Sequence, residues 1–444
     1  MSENLNQQIE IKEKIERLIN QGLIDEASKE LIKNEDIIEN EKWKLTTKSV
    51  INILKGDINS AEEILKGGLI KYPFTADILF NLAYIYEQKH DFQSAYDFYL
   101  DAKDTLNKNE KVSAELALNN LKNKSVDLIE KEKIAVFIKP GLDNFIDEII
   151  SGLSDRYRVR KILVSSYEQI DQGMDWADIC WFEWCDELVM YGSNNELAIN
   201  KKIICRLHGY EVYTKYINNV KWETIDHLII VAPHIKRIFR EKIDPIILNE
   251  NKVSIIYCGI DEKVYPFSNK KKGYNIGYLG YINYKKNIPL SLKIFYDLYK
   301  KDKRYKFYLA GQFQDERVFR YVDYFIKSNK LENNIFIEGW KNFDEKINWL
   351  KKIDYILISS IDEGLCYAAA ESMLTGIKPV LHNCEGINDH YVNKYIYNTV
   401  EEATQMIESE IYSSIEYRSF IEEYYSKDKE IKTIKSLLKT FTEI

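Results

Sequence analysis

The segment SSIDEGLCYAAAESMLTGIKPV gathers the densest set of reactive side chains in this 444-residue sequence. A strand running to Ser360 is followed by Asp362, Glu363 and Gly364, and an alanine-rich helix is expected from about Leu365. The first amides of a helix have no partner inside it, and its positive end suits an anion such as a diphosphate. Glu371 stands eight residues after Glu363, which on one continuous helix is about two turns, or ~10 Å. Carboxylates so far apart cannot share a proton, but each can accept hydrogen bonds from sugar hydroxyls. A second segment, IGYLGYINYKKN, offers Gly280 at a strand end and the cations Lys285 and Lys286. A third, CRLHGYEVY, places His208 and Gly209 at another strand end, where an imidazole can donate to a hydroxyl or face a developing cation. Gly141, in IKPGLDNFIDEI, closes the first strand with a turn. Glu183 and Trp184 follow the third strand, within reach of an acceptor or, for the tryptophan, of the core. No Asp-x-Asp pair, zinc-type His/Cys spacing or G-x-S-x-G elbow is present, so neither a resident metal nor a serine hydrolase is expected.

The elements that must position these groups alternate. From residue 131 the runs KIAVFIK, VRKILVS, ADICWF, KKIICRLHG, DHLIIVAP and KVSIIYCG are separated by helical stretches. The runs YNIGYLG, YKFYLAG, NIFIEG, DYILISS and KPVLHN continue the pattern. Such alternation specifies α/β lobes with parallel sheets, whose ligands bind beyond the carboxyl ends of the strands. The stretch DEKVYPFSNKKKGY interrupts the pattern and reads as a hinge between two doubly wound lobes. The expected boundaries are a helical region over 1–130, a first lobe over 131–265, a second over 266–415 and a terminal helix over 416–444.

The first quarter follows another rule. GLIDEASKELI, GDINSAEEILKGGLIKYP and HDFQSAYDFYLDAKDTLN repeat at a 34-residue step, with Ala27, Ala61 and Ala95 in register and Leu31, Leu65 and Tyr99 four positions later. That step is the period of a tetratricopeptide helix pair, in which a small residue lets two helices approach. The third unit resembles the tetratricopeptide pattern nearly throughout, at Leu82, Ala83, Tyr86, Ala95, Tyr99 and Ala102. Residues 1–130 carry 17 Lys/Arg against 24 Asp/Glu, net −7, out of −8 for the whole chain. A solenoid of this kind presents a concave face suited to a peptide or a partner domain.

Composition removes several classes. Hydrophobic residues make up 45% and Gly plus Pro only 25 residues, which excludes a disordered or fibrous chain. The acidic balance lacks the Lys/Arg density of a nucleic-acid binder. No apolar run approaches the ~18 residues of a membrane span. The polar start lacks a secretory pattern, and Cys180, Cys185, Cys205, Cys258, Cys366 and Cys384 form no C-x-x-C pair, so a cytoplasmic protein is expected.

Glu363 and Glu371 together resemble the Glu-x7-Glu signature of the retaining, family 4 glycosyltransferases of GT-B fold, and the likeness runs from about residue 133 to the end. It implies two Rossmann-like lobes facing a cleft, preceded here by the all-α tetratricopeptide-like solenoid, and a terminal helix crossing back to the first lobe. It further implies that Glu363 contacts the donor sugar, that the backbone of Gly364, Leu365, Cys366 and Tyr367 holds sugar and phosphate, and that Glu371 binds the ribose. Gly280, Lys286 and Gly141 match the diphosphate loops, and His208 matches a strand-end histidine of many members. Tyr281 stands where the family usually has arginine, which leaves Lys285 or an arginine elsewhere to compensate. The resemblance therefore implies a hexosyltransferase using a nucleotide sugar, expected to be a UDP-sugar, without a metal. The repeat suggests a protein acceptor, such as flagellin or another bacterial surface protein. Two alternatives stay open: a transferase of lipid-linked or cell-wall glycans, with the repeats serving assembly, and a non-catalytic scaffold. Oligomer formation is also left open.

Overall fold

The computed structural model describes residues 2–105, 111–125 and 127–442, and the chain forms two compact units. One comprises Met1–Glu183 with Asn195–Ile203, the other Trp184–Asn194 with Ile204–Ile444.

The first unit opens with α1 (Ser2–Asn20), α2 (Ile24–Lys33), α3 (Glu41–Leu54), α4 (Ile58–Lys71), α5 (Ala76–Gln88), α6 (Phe92–Thr105) and α7 (Lys111–Lys124). The 34-residue step is a step of helix pairs. Ala27, Ala61 and Ala95 are fully buried at the same place in α2, α4 and α6, and Leu31, Leu65 and Tyr99 are buried one turn later. Asn40 and Asp57 cap α3 and α4 by accepting backbone N–H groups. Residues 106 and 107 of the third repeat segment lie outside the described residues.

This unit also holds β1 (Lys133–Ile138), β2 (Arg158–Leu163) and β3 (Ile179–Glu183), with β1 pairing in parallel with both others. On β2, Arg158 and Arg160 lie two residues apart and so share a face. Both meet Asp101 of α6, at 3.0 Å and 2.7 Å. The Trp176 indole donates to the same carboxylate at 3.3 Å. The Arg160 guanidinium lies 4.2 Å from the Trp176 ring centre and 4.7 Å from that of Phe74. The helical repeat is thus clamped to the edge of the sheet by a buried ion cluster.

Further along come β4 (Lys202–Leu207), β5 (His227–Ile230) and β6 (Val253–Ile255), then β7 (Asn275–Leu279), β8 (Lys306–Ala310), β9 (Ile335–Gly339), β10 (Tyr355–Ile358), β11 (Lys378–His382) and β12 (Ile396–Tyr397). The strands form two six-stranded sheets, in the orders β2-β1-β3-β4-β5-β6 and β12-β11-β10-β7-β8-β9. The described pairs are parallel. β12 is not announced by the sequence, because two edge residues carry no readable period. The expected hinge has no strand over 265–274, yet it is tied down: the Lys270 ammonium donates to the carbonyls of Leu350 and Lys351, and Lys272 pairs with Glu410 at 2.6 Å. The expected single terminal helix is two, Ser414–Tyr425 and Lys427–Thr442, broken at Ser426, which bridges to Ile260. The second of them reaches β4 and β5 through Glu430, paired with Arg206, and Phe441, edge-on to His227.

Candidate functional site

The loops after β7 and β10 are stitched together. Asn283 caps the short turn Tyr284–Lys286, and the Ser359 hydroxyl bonds the carbonyls of Lys286 at 2.8 Å and Asn287 at 3.0 Å. The Ile361 N–H donates to the Lys285 carbonyl at 2.9 Å. This stitching brings the Lys286 ammonium onto the Glu363 carboxylate. The Ser360 hydroxyl donates to the same carboxylate oxygen at 2.7 Å. Burial works against the charge of Lys286, but the adjacent carboxylate prevails and holds its pKa above the usual lysine range. Beside this pair, Lys285 meets Asp362 at 3.0 Å in a half-exposed ion pair.

The motif helix spans Tyr367–Leu374 and begins later than the sequence suggests, because Cys366 takes a left-handed backbone, φ 52°, and ends the preceding loop. Glu363 therefore lies off the helix, and the reading of the two glutamates as two turns apart on one helix is corrected. Gly364, Leu365 and Cys366 form the loop, and Tyr367 is the first helical residue. The Tyr391 hydroxyl donates to the Leu365 carbonyl at 2.5 Å and fixes that loop. Glu371 stays on the helix and accepts from the Lys346 ammonium at 2.6 Å and from the Tyr265 hydroxyl at 2.8 Å. Downstream, a Cβ at Gly386 would stand 2.0 Å from the Glu363 carbonyl and 2.5 Å from the His234 ring, so only glycine fits this turn, at φ 94°.

His208 closes β4. The fully buried Glu211 accepts the backbone N–H groups of His208 at 3.0 Å, Gly209 at 2.7 Å and Cys185 at 3.3 Å, which fixes this loop. The His208 ring lies against Trp184, tilted by 31° with ring centres 4.0 Å apart, and Trp184 adopts φ 86°. His208, Gly209, His234, Lys285, Asp362 and Gly364 line a cavity of about 600 Å³ with Tyr210, Tyr213 and Tyr284 at its rim. All of these residues belong to the second unit. The arrangement brings an imidazole and the Lys285–Asp362 ion pair around one cavity, with Lys286 and Glu363 next to that pair along the chain. Such a set can hold a diphosphate and stabilise charge on it as it leaves.

Residues 261–423 match the family described as Glycosyl transferases group 1. This stretch is a group 1 glycosyltransferase domain. An uncharacterized glycosyltransferase of Methanocaldococcus jannaschii, MJ1178, is 24% identical over 260 residues, covering 57% of this chain and 66% of that relative, just under two thirds. Among solved structures, Anabaena Alr3699/HepE in complex with UDP and glucose matches with a TM-score of 0.56 at 12% identity, over 70% of this chain and 100% of the other. Sucrose-phosphate synthase from Thermosynechococcus elongatus gives 0.55 at 11% identity, over 70% and 99%. At such identities the likeness is one of fold, and the two parallel-sheet lobes are of GT-B type.

The group 1 domain contains Gly280, Lys285, Lys286, Glu363, Gly364, Leu365, Cys366, Tyr367 and Glu371, while His208 and Gly141 lie outside it. Gly280 closes β7 at φ 126°. Gly141 sits in the first unit, in a turn at φ 83° whose N–H donates to Asp143. Glu183 is fully buried and accepts from the Trp181 indole at 2.8 Å, a core role. Tyr281 of the group 1 domain stacks on Trp340 at 4.9 Å, both half exposed, and so does not leave a simple gap. The sequence reading missed Lys346, Tyr265, Ser360 and Glu211. Their partners are distant in the chain or set by a loop, and only the lysine at the start of a helix after β9 offered any signal. Among the described residues, no three His, Cys, Asp or Glu side chains are grouped to hold a metal ion, and no helix is long and apolar enough to cross a membrane.

Proposed function

We propose that the chain is a retaining hexosyltransferase that moves a sugar from a nucleotide sugar to a protein acceptor captured by the helical repeat. The observation that carries this reading is the Lys286–Glu363 pair, set in a group 1 domain beside a cavity large enough for a sugar and a diphosphate. Lys286, the amides of Gly364 to Tyr367 and Gly280 hold the diphosphate, and Lys286 stabilises the charge it gains as the glycosidic bond breaks. Glu363 and His208 face the reacting sugar, and Glu371, oriented by Lys346 and Tyr265, accepts from the ribose hydroxyls. The acceptor hydroxyl attacks from the face the diphosphate leaves, so no enzyme nucleophile is needed and the configuration is retained. We take the donor to be a UDP-sugar, with support from the UDP bound in the Anabaena structure. No step calls for a metal, so transfer should survive EDTA. The six free cysteines, five of them buried, support a cytoplasmic enzyme.

Tetratricopeptide-type pairing supports the acceptor assignment. A cavity of about 500 Å³ on the repeat is lined by Trp43, Thr46, Thr47, Asp77, Phe80 and Asn81, a mix suited to an extended peptide. The lipid-linked alternative calls for a free basic surface on the first lobe. The best candidate, the helix Pro233–Lys242, spends its cations internally: Lys236 and Arg240 on Glu250, Arg237 on Asp389 and Lys242 on the Val212 carbonyl. The test is transfer from a panel of UDP-sugars, with the product anomer read by NMR. Retained configuration with one donor is expected; an inverted product contradicts the mechanism. Asp77→Lys with Asn81→Ala should lower transfer to a protein ~10-fold, the effect of ~1.4 kcal/mol of lost contact, and leave donor hydrolysis unchanged. Equal transfer by this variant would move the glycan acceptor ahead.

A further inference from the structure

Behind His208 lies a buried thiol that the mechanism above does not use. Cys258, 7% exposed, follows β6, and its sulfur stands 3.1 Å from Arg206 Nη2 and 3.9 Å from His208 Nδ1. Arg206 is itself fully buried and paired with Glu430 of the terminal helix. Glu430 in turn accepts from the Gly259 N–H at 2.9 Å and meets the Lys427 ammonium at 2.8 Å. The loop and the helix touch without slack, since a Cβ on Gly259 would fall 2.7 Å from the Ser426 carbonyl oxygen and 2.8 Å from Lys427 Cα. The sulfur is therefore held in place from two sides.

We propose that Cys258 is a positioning residue for His208, its sulfur accepting the Nδ1–H and thereby fixing the tautomer of a ring that lines the cavity. The Arg206 guanidinium already donates to this sulfur, and the electrostatics agree: burial raises a thiol, but the Arg206 charge and His208 outweigh it and hold Cys258 below the usual range. Trp184, tilted against the imidazole, restricts the ring further. With Nδ1 carrying the proton, Nε2 accepts a hydrogen bond from a sugar hydroxyl and no proton changes hands. A packing role alone would fill the same space without choosing a tautomer. This inference rests on the reading of the cavity as a sugar site.

The experiment is a ¹H–¹⁵N spectrum of the histidine rings in the full chain, labelled at histidine and recorded with neither donor nor acceptor, the His208 signals being assigned with His208→Gln. The wild type should carry its proton on Nδ1. Cys258→Ala should give a mixture of tautomers, and Cys258→Ser should restore the single one. A wild-type His208 protonated on Nε2 overturns the proposal without any variant, and so does an unchanged spectrum in Cys258→Ala. In a transfer assay Cys258→Ala should lower kcat ~10-fold at nearly constant donor KM, with recovery in Cys258→Ser. The expected spectra from a chain that transfers nothing would support the tautomer assignment and overturn the transferase reading instead.

Discussion

Two clusters in this chain set a carboxylate against cations, and their surroundings give them different work. In the first unit Asp101 lies between Arg158 and Arg160, all three at most 6% exposed, and the Trp176 indole completes its partners. In the second unit Glu363 is as buried, but the Lys286 side chain is 27% exposed and the neighbours Lys285, Asp362 and Gly364 line a cavity. The enclosed cluster can only hold structure together, because no ligand reaches it. The open one can exchange a protein partner for a diphosphate. The same pairing of charges is thus closed to ligands or open to them according to access, which no pair of residue types reveals alone.

The comparison breaks most visibly at the enclosed end. Asp101→Ala should cost the full chain ~3 to 5 kcal/mol, since it leaves two buried guanidinium groups without their carboxylate. Urea unfolding reads this loss, and a change under ~1 kcal/mol would show the clamp to be incidental. For the same reason a chain lacking residues 1–130 should be much less stable than the intact protein.

At the open end Lys286→Ala should lower turnover at least ~100-fold, as removal of an electrostatic stabiliser costing ~2.7 to 4 kcal/mol does. An intact rate would transfer its role to Lys285.

A third test uses groups enclosed but uncharged. Burial, helped by His234, holds the pKa of His390 down to about 4, against 6.5 for an ordinary histidine. The unfolded chain therefore binds more protons between pH 6.5 and 4, so stability falls as pH drops through that window and is flat above it. The loss for this one group is at most about 3 kcal/mol. His390→Gln should flatten the acid dependence of the urea midpoint between pH 7 and 4.5; an unchanged slope would assign the acid sensitivity to other groups.

The smallest effect is expected from the ribose end. Glu371→Ala should raise donor KM ~10-fold with little change in kcat, and Lys346→Ala should do the same more weakly, because it acts through Glu371. Glu363→Ala should instead lower kcat. Parallel behaviour of the two glutamate variants would erase the distinction between them.

Much of the fold is legible in sequence because it depends on period. The 34-residue step of Ala27, Ala61 and Ala95 and the alternation of apolar runs both report which faces are buried. Glu363, Lys286 and His208 are legible as residues of the loops that follow β10, β7 and β4. What the sequence conceals is set by single backbone angles and by partners far along the chain. The left-handed Cys366 delays the motif helix and removes Glu363 from it. Lys346 meets Glu371 only because a separate helix passes beside the first. Asp101 reads as one more acid on a solvated helix until Arg158 and Arg160, 57 and 59 residues away, cover it.

The most direct measurement of the central claim is calorimetric titration of UDP into the wild type, Lys286→Ala and Asp101→Asn, each at a temperature where it is folded. Saturable binding is predicted for the wild type, with affinity at least ~10-fold weaker in Lys286→Ala, a loss of ~1.4 kcal/mol, and nearly unchanged in Asp101→Asn. Equal affinity in all three proteins, or no binding by the wild type, would contradict the assignment of the open pair to the diphosphate.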